Sequence, residues 1–410
     1  MRIEEICEGN FIKKINITIA AAGTGGHINP GIAIADNLQM DGYNISWLGT
    51  PKGMENKLID KNKFQFFALS ISGIRNKGLL KLIQLPFIVT ISTIQAVKAL
   101  KVSKTKLLIV MGGYVSLPAA LAAKILNIKL IVHEQNSIPG LSNKILSFIS
   151  NQNFSAFPNS LRKSKIIGNP IRKKIDQVIN PKKRFLNRKG PLRVLVFGGS
   201  LGSKSFNQLL PFIFKKINNK NKLSIIHQSG ENMFELLKEG YKGVSFKAEI
   251  RKYIFDMEKK YNWADIVIAR SGALTVSELI ESGSASILIP YPFAVDDHQF
   301  FNAKILKDAG AAKIIREKDL EEFGVDVMVQ FYDWMQDYEQ FEKVMKPDFT
   351  SRPDVKLKNQ SAIPCARIEA FLGANQLDDV PPRMRYSINS SHHIAIQWHR
   401  SIGSEHYRLG

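Results

Sequence analysis

The sequence predicts an α/β chain built as two similar halves, each a doubly wound parallel sheet, with a cleft between them. Three observations predict this. Short apolar runs alternate with helical stretches through most of the first 316 residues, the pattern of parallel strands joined by crossover helices. Glycine-rich turns follow several of these runs. The pattern also restarts: after the polar, basic stretch Val178–Pro191, a second cycle of strand, glycine loop and helix begins at Arg193.

In the first half, Ile15–Ala21 reads as a strand. The loop Gly23-Thr24-Gly25-Gly26-His27 follows, then an apolar helix over Ile32–Leu38. Such a turn aims backbone N–H groups at a phosphate. A dinucleotide fingerprint fits poorly, because G-x-G-x-x-G would require glycine at Ile28. The next strand, Tyr43–Leu48, ends in Gly49-Thr50 without the acid that holds the ribose of NAD. His27 lies among glycines at a strand's C-terminal end, where open α/β sheets place their sites. A loop histidine is commonly a local hydrogen-bonding residue, but this position also suits a general base. Lys106–Val110 and Lys129–His133 read as further strands, the first followed by Met111–Val115 and a helix over Leu117–Leu126. Glu134-Gln135-Asn136-Ser137 follows the second. Ile166–Ile167 is a last short strand, before Gly168-Asn169-Pro170-Ile171-Arg172.

The second half opens with the strand Arg193–Phe197 and the loop Gly198-Gly199-Ser200-Leu201-Gly202-Ser203. That loop also fits the short G-x-S-x-G elbow of hydrolases, with Asp265 and His298 as candidate partners for Ser200. Leu223–Gln228 and Ser286–Ile289 read as strands, as does the apolar run ending at Ala269. Arg270-Ser271-Gly272 turns that run into a helix over Ala273–Ser282, with Gly283 as its stop. The helix terminus is a natural phosphate site, and Glu278 lies within reach of ribose hydroxyls. His298 beside Asp296 and Asp297 is too little for a metal site, and no metal-ligating cluster is expected.

The composition narrows the class. The chain carries 57 Lys+Arg against 36 Asp+Glu, a formal net charge of +21. Between Lys61 and His133 there are eleven bases and no acid. Apolar residues interleave with those bases, which favours an anionic membrane surface over nucleic acid. Cys7 and Cys365 form no framework, consistent with a reducing compartment. The acids near the start argue against a signal peptide. No apolar run approaches the roughly 18 residues of a transmembrane span, so a cytoplasmic protein without a membrane helix is expected. Residues 317–410 differ in character, with 11 bases against 15 acids, while residues 1–316 hold 46 against 21. Leu320–Met345 reads as an acidic, aromatic helix.

Eight stretches together resemble the MurG family, the N-acetylglucosaminyltransferases of bacterial cell-wall synthesis. They are Gly23–His27 (GTGGH), Ile71–Gly78 (ISGIRNKG), Met111–Ser116 (MGGYVS), His133–Asn136 (HEQN), Gly168–Arg172 (GNPIR), Gly198–Gly202 (GGSLG), Arg270–Glu278 (RSGALTVSE) and Asp296–Gln299 (DDHQ). They occur in the family's order over roughly residues 15–316, and no family motif is legible beyond. The resemblance implies a GT-B fold of two Rossmann-like domains. The expected divisions are 1–177 for an acceptor and membrane-side domain, 178–191 for a linker, 192–345 for a UDP-sugar domain, and 346–410 for a divergent tail.

It further implies inverting transfer of N-acetylglucosamine from UDP-N-acetylglucosamine to the muramoyl C4 hydroxyl of lipid I, forming lipid II for peptidoglycan. Thr24, Gly25, Gly26, Asn136, Arg172 and Ser200 are implied to line the donor site, with Ile254 offering backbone to the uracil. Ala273, Leu274, Thr275, Val276, Ser277 and Glu278 are implied to hold diphosphate and ribose, and Gln299 the sugar; His27 is the candidate base. No cofactor is expected. Ile74, Arg75, Lys77, Leu79, Leu80, Lys81 and Phe87 are expected to dock the enzyme, as a peripheral protein, on the anionic cytoplasmic face of the inner membrane. Cell-wall or division proteins are expected as further partners. The competing expectation is an inactive UDP-binding or membrane-scaffold relative, because the family's terminal helices are not legible.

Overall fold

The structure, a computed structural model, describes residues 15–322 except 73–77, 159, 186–187, 189 and 218–222, and also residue 326. Two parallel sheets organise it. The first half contains β1 (Asn16–Ala21), β2 (Asn44–Gly49), β3 (Gln65–Ala68), β4 (Thr105–Gly112), β5 (Lys129–Glu134), β6 (Gln152–Ser155) and β7 (Ser164–Ile166). Their order across the sheet is β3-β2-β1-β4-β5-β6-β7. The second half contains β8 (Leu192–Phe197), β9 (Leu223–Gln228), β10 (Lys247–Arg251), β11 (Ile266–Ala269), β12 (Ser286–Leu288) and β13 (Ala312–Ile314), in the order β10-β9-β8-β11-β12-β13. Central strands are apolar along their length because helices cover both faces; Ile17, Ile19 and Ala20 of β1 are all fully buried.

The helices of the first half are α1 (Gly25–Met40), α2 (Glu55–Leu58), α3 (Gly78–Val102), α4 (Ser116–Ile125) and α5 (Leu141–Leu146). Those of the second are α6 (Pro181–Arg184), α7 (Lys204–Ile217), α8 (Phe234–Gly240), α9 (Met257–Trp263), α10 (Ala273–Ser282) and α11 (His298–Asp308). Gly283 ends α10 in the left-handed conformation, φ 56° and ψ 42°, where a residue without Cβ is favoured.

Both sheets reverse strand order beside their first strand: β1 is flanked by β2 and β4, and β8 by β9 and β11. Such switch points open a crevice beyond the strands' C-terminal ends. The glycine loop after β1, the turn after β4, the loop after β8 and the start of α10 all lie there.

Several elements depart from expectation. α1 begins at Gly25, not Ile32, so the glycine loop is itself the helix's first turn. Thr24 has extended backbone (φ −109°, ψ 158°), and its carbonyl accepts the N–H of His27 and Ile28, the geometry of an N-cap. The stretch 178–191 is no free tether. It contains α6, Phe185 is buried, Arg184 donates to the carbonyls of Ser282 and Gly283, and Arg188 pairs with Asp265.

Among the described residues one segment, Gln84–Val102 of α3, is long and apolar enough to cross a membrane by length and composition alone, and little of it is buried within the protein. The segment tolerates Lys98 and Lys101, so it forms no unbroken apolar run. The expected helix over Leu320–Met345 lies mostly outside the described residues, as does the tail 346–410.

Candidate active site

The first half of the site is the N-terminal turn of α1. Gly25, Gly26 and His27 occupy its first three positions; the N–H groups of the two glycines have no partner within the helix, while that of His27 turns back onto the Thr24 carbonyl. Glu55, fully buried, braces the loop from behind: one carboxylate oxygen accepts the Thr50 N–H (2.8 Å) and hydroxyl (2.6 Å), the other the Gly23 N–H (3.3 Å). The His27 ring lies against Gly112, where a Cβ would come within 2.7 Å of its Nδ1. Its Nδ1 is 3.0 Å from Gln135 Oε1.

The second half is the N-terminal turn of α10. Gly272 caps it with extended backbone (φ −60°, ψ 150°), leaving the N–H groups of Ala273, Leu274 and Thr275 and the helix dipole directed into the crevice. One turn in, Glu278 is buried. Its Oε1 is 3.0 Å from Arg172 Nε, and its Oε2 accepts the Tyr261 hydroxyl at 3.1 Å. Burial pushes the Glu278 carboxyl above the ordinary carboxylate range, opposed by Arg172 and Tyr261. Val276 is core, fully buried.

Single polar residues join the halves. Fully buried Asn302 of α11 accepts the N–H and hydroxyl of Ser137 (2.9 and 2.8 Å) and donates to Asn136 Oδ1 (3.2 Å) and the Ser271 carbonyl (3.3 Å). Asn169 Nδ2 donates to the Gln135 carbonyl and to Ser277 Oγ, both at 3.0 Å. α1 and α10 thereby come into contact. Thr24, Gly25, Gly26, His27, Asn136 and Arg172 are therefore gathered beside Ala273, Leu274, Thr275, Ser277 and Glu278.

The remaining expected donor residues follow second-sheet strands. Ser200 lies on the exposed turn after β8. Ile254 follows β10; its side chain is buried and its N–H donates to Gln228 Oε1 at 2.8 Å, so that N–H is already occupied. Gln299 Oε1 accepts the Tyr291 N–H at 2.9 Å.

The Arg270 guanidinium is structural. It is buried, donates to the Ile289 and Pro290 carbonyls and the Ser203 and Ser205 hydroxyls, and pairs with Glu317. The hydrolase constellation does not form. Asp265 sits at the N-terminal end of β11, bonded to Arg188 and the Arg193 N–H, whereas Ser200 follows the opposite end of β8.

Asn302, Asn169, Gln135, His133 and Glu55 were not assigned roles from sequence. Three of them lie inside the HEQN and GNPIR stretches, which were the only available signal. Of the expected docking residues, Ile74, Arg75 and Lys77 lie outside the described residues; Leu79, Leu80 and Lys81 belong to α3, and Phe87 is 73% exposed.

Two facing Rossmann-like domains with a helix terminus at the crevice define a GT-B glycosyltransferase, and the chain matches the glycosyltransferase family 28 N-terminal domain over residues 17–155 and C-terminal domain over 193–351. The second match runs 52 residues past the last legible motif, which ends at Gln299. The chain belongs to the family of UDP-N-acetylglucosamine--N-acetylmuramyl-(pentapeptide) pyrophosphoryl-undecaprenol N-acetylglucosamine transferases, the MurG family. It is 41% identical to the Saccharophagus degradans transferase of that name over 325 residues, 78% of this chain and 84% of the relative. It is 38% identical to that of Dechloromonas aromatica, covering 82% and 96%. The crystal structure of Acinetobacter baumannii MurG superposes with a TM-score of 0.72 at 33% identity, covering 85% of this chain and 99% of that one.

Proposed function

We propose that this enzyme transfers N-acetylglucosamine from UDP-N-acetylglucosamine to the muramoyl C4 hydroxyl of lipid I, giving lipid II with inversion at the anomeric carbon. The observation that carries the reading is the juxtaposition of the α10 N-terminus with the His27 turn of α1 across one polar domain contact. Relatives bearing this reaction in their names are about 40% identical over most of their length.

The diphosphate sits at the first-turn N–H groups of α10, next to the half-exposed Arg172 guanidinium. Glu278 accepts the ribose hydroxyls. His27 takes the proton of the acceptor hydroxyl as that oxygen bonds to the anomeric carbon, and the bond to the diphosphate breaks. Negative charge grows on the leaving diphosphate, where preorganised N–H groups and a helix dipole stabilise it without rearranging.

The acceptor is lipid-linked, so the first domain docks on the membrane. Phe87, Ile91 and Ile94 of α3 are exposed, as are Ile125 at the end of α4 and Leu141, Ile145 and Phe148 at α5. They lie in a region whose bases outnumber its acids, suited to an anionic surface.

The test is transfer of labelled N-acetylglucosamine from its UDP donor to a lipid I analogue, with chelator present in one arm. Product is expected. UDP binding without turnover is what an inactive relative predicts and would overturn the assignment.

A further inference from the structure

We propose that Gln135 and His133 are positioning residues that fix the tautomer of His27, leaving its Nε2 as the bare, proton-accepting nitrogen. This rests on the reading of His27 as the base.

The argument starts from two backbone carbonyls, which only accept hydrogen bonds. His133 Nε2 lies 3.0 Å from the Gly168 carbonyl, so Nε2 carries the proton. The ring is fully buried, and burial lowers its pKa to about 4, so at neutral pH it holds that single proton. His133 Nδ1 is then an acceptor, and Gln135 Nε2 donates to it at 3.1 Å. The same Nε2 lies 3.1 Å from the His133 carbonyl, an independent requirement that this end of the amide be the NH₂. The amide orientation, ordinarily an open choice, is thus set twice over. Gln135 Oε1 must be the atom facing His27 Nδ1 at 3.0 Å, and an oxygen without a proton can only accept. His27 therefore carries its proton on Nδ1.

The polarity runs from Gly168 through His133 and Gln135 to His27. Free neutral imidazole favours the opposite tautomer, with its proton on Nε2. The chain is anchored to the donor half as well, since Asn169 bonds both the Gln135 carbonyl and Ser277 of α10. In the reaction the acceptor O–H bond breaks and its proton joins Nε2, while the electron pair of that bond forms the new glycosidic bond. The imidazolium so formed keeps its Nδ1–H on Gln135. Gln135 is neutral, so it orients the ring by a hydrogen bond and brings no charge to it. Other titratable groups near the loop are Glu55, bonded to Gly23, Tyr114, packed beside Gly23, and Glu134, bonded to Asn136 and Asn143.

The test uses full-length protein with labelled histidine, reading imidazole tautomers by nitrogen NMR at neutral pH. The wild type is expected to show His27 as Nδ1–H and His133 as Nε2–H. Gln135→Leu is expected to move His27 toward Nε2–H and to lower kcat by about 10- to 100-fold, part of what general-base catalysis contributes. Gln135→Glu keeps an acceptor at Nδ1. It is expected to retain the Nδ1–H tautomer and to move the acid limb of the pH–rate profile upward, because an anion stabilises the imidazolium. A purely structural role would reduce activity in both variants without moving tautomer or limb. His27 as Nε2–H in the wild type, or an unchanged tautomer in Gln135→Leu, would overturn the proposal. Full activity in His27→Ala beside a Gln135-dependent tautomer would instead overturn the base assignment alone.

Discussion

Removing the Glu278 carboxylate tests the donor site most directly, because its effects on binding and on folding differ in size. In the protein the carboxylate accepts from Arg172 Nε (3.0 Å) and the Tyr261 hydroxyl (3.1 Å). Glu278→Ala leaves the buried Tyr261 hydroxyl without that partner, a cost of about 1–3 kcal/mol. It also removes a carboxylate whose burial disfavours its charge, so the net loss of stability falls at the low end. In binding, a hydrogen bond to a charged group contributes about 1.5–3 kcal/mol, and two ribose hydroxyls are at stake. UDP is therefore expected to bind about 100-fold more weakly, since 1.4 kcal/mol is tenfold. The assay is calorimetric titration of wild type and variant with UDP and with its 2′-deoxy analogue. The wild type should discriminate between the two ligands, and the variant should not. If the wild type binds both alike, or the variant discriminates as well as the wild type, Glu278 does not hold the ribose.

Four further outcomes are expected. Asn302→Ala removes every hydrogen bond that bridges Ser137, Asn136 and Ser271, and should cost about 1–3 kcal/mol, seen as a lowered melting midpoint together with a lower kcat/KM. Gly202→Ala places a Cβ 1.9 Å from the Ser229 carbonyl at φ 78°, and should destabilise the second domain by at least about 2 kcal/mol. His227, buried with its pKa lowered to about 3, gains its proton only in the unfolded chain as pH falls from about 6.5. Its contribution, fully present above that value, should decline by about 2 kcal/mol by pH 5, so His227→Phe should show a smaller acid-induced drop in melting midpoint. Phe87→Ser should weaken binding to anionic vesicles about tenfold, the loss of one aromatic side chain from the interface, while transfer to a soluble acceptor analogue is retained.

The central strands were legible because burial on both faces makes each an unbroken apolar run. Three of the four edge strands were not: β3 and β10 are partly exposed along much of their length, and β13 has only three residues; the fourth edge, β7, was read at Ile166–Ile167, while the polar interior strand β6 was missed. The start of α1 was misread because glycine disfavours helix, whereas here the Thr24 cap and the Glu55 brace hold the glycines in a first turn. α3 gave no periodic signal. Its small residues Ser92, Ala96 and Ala99 are buried while Phe87, Ile91 and Ile94 face outward, so both sides are apolar or small. Within the site, the GTGGH loop and the α10 turn could be read because their chemistry is local. Asn302 could not, since its role exists only where α11 meets the loop after β5.

The division of labour between the domain contacts follows from their chemistry. On one side Phe157, Ile171 and Ile175, contributed by the stretch after β6, are buried in the same apolar cluster as Val267, Val276 and Leu279 of the second domain. Truncating a buried phenylalanine there costs about 3–5 kcal/mol. On the crevice side the link consists of Asn302, Asn169 and the Arg172–Glu278 pair. Each such contact contributes only about 0.5–3 kcal/mol, and water or a ligand can replace it. Opening should therefore break the polar mouth and spare the apolar root. In the proposed reaction His27 and the α10 terminus act together, so substitutions that break the polar mouth should slow transfer more than they lower stability, measured as kcat/KM against melting midpoint.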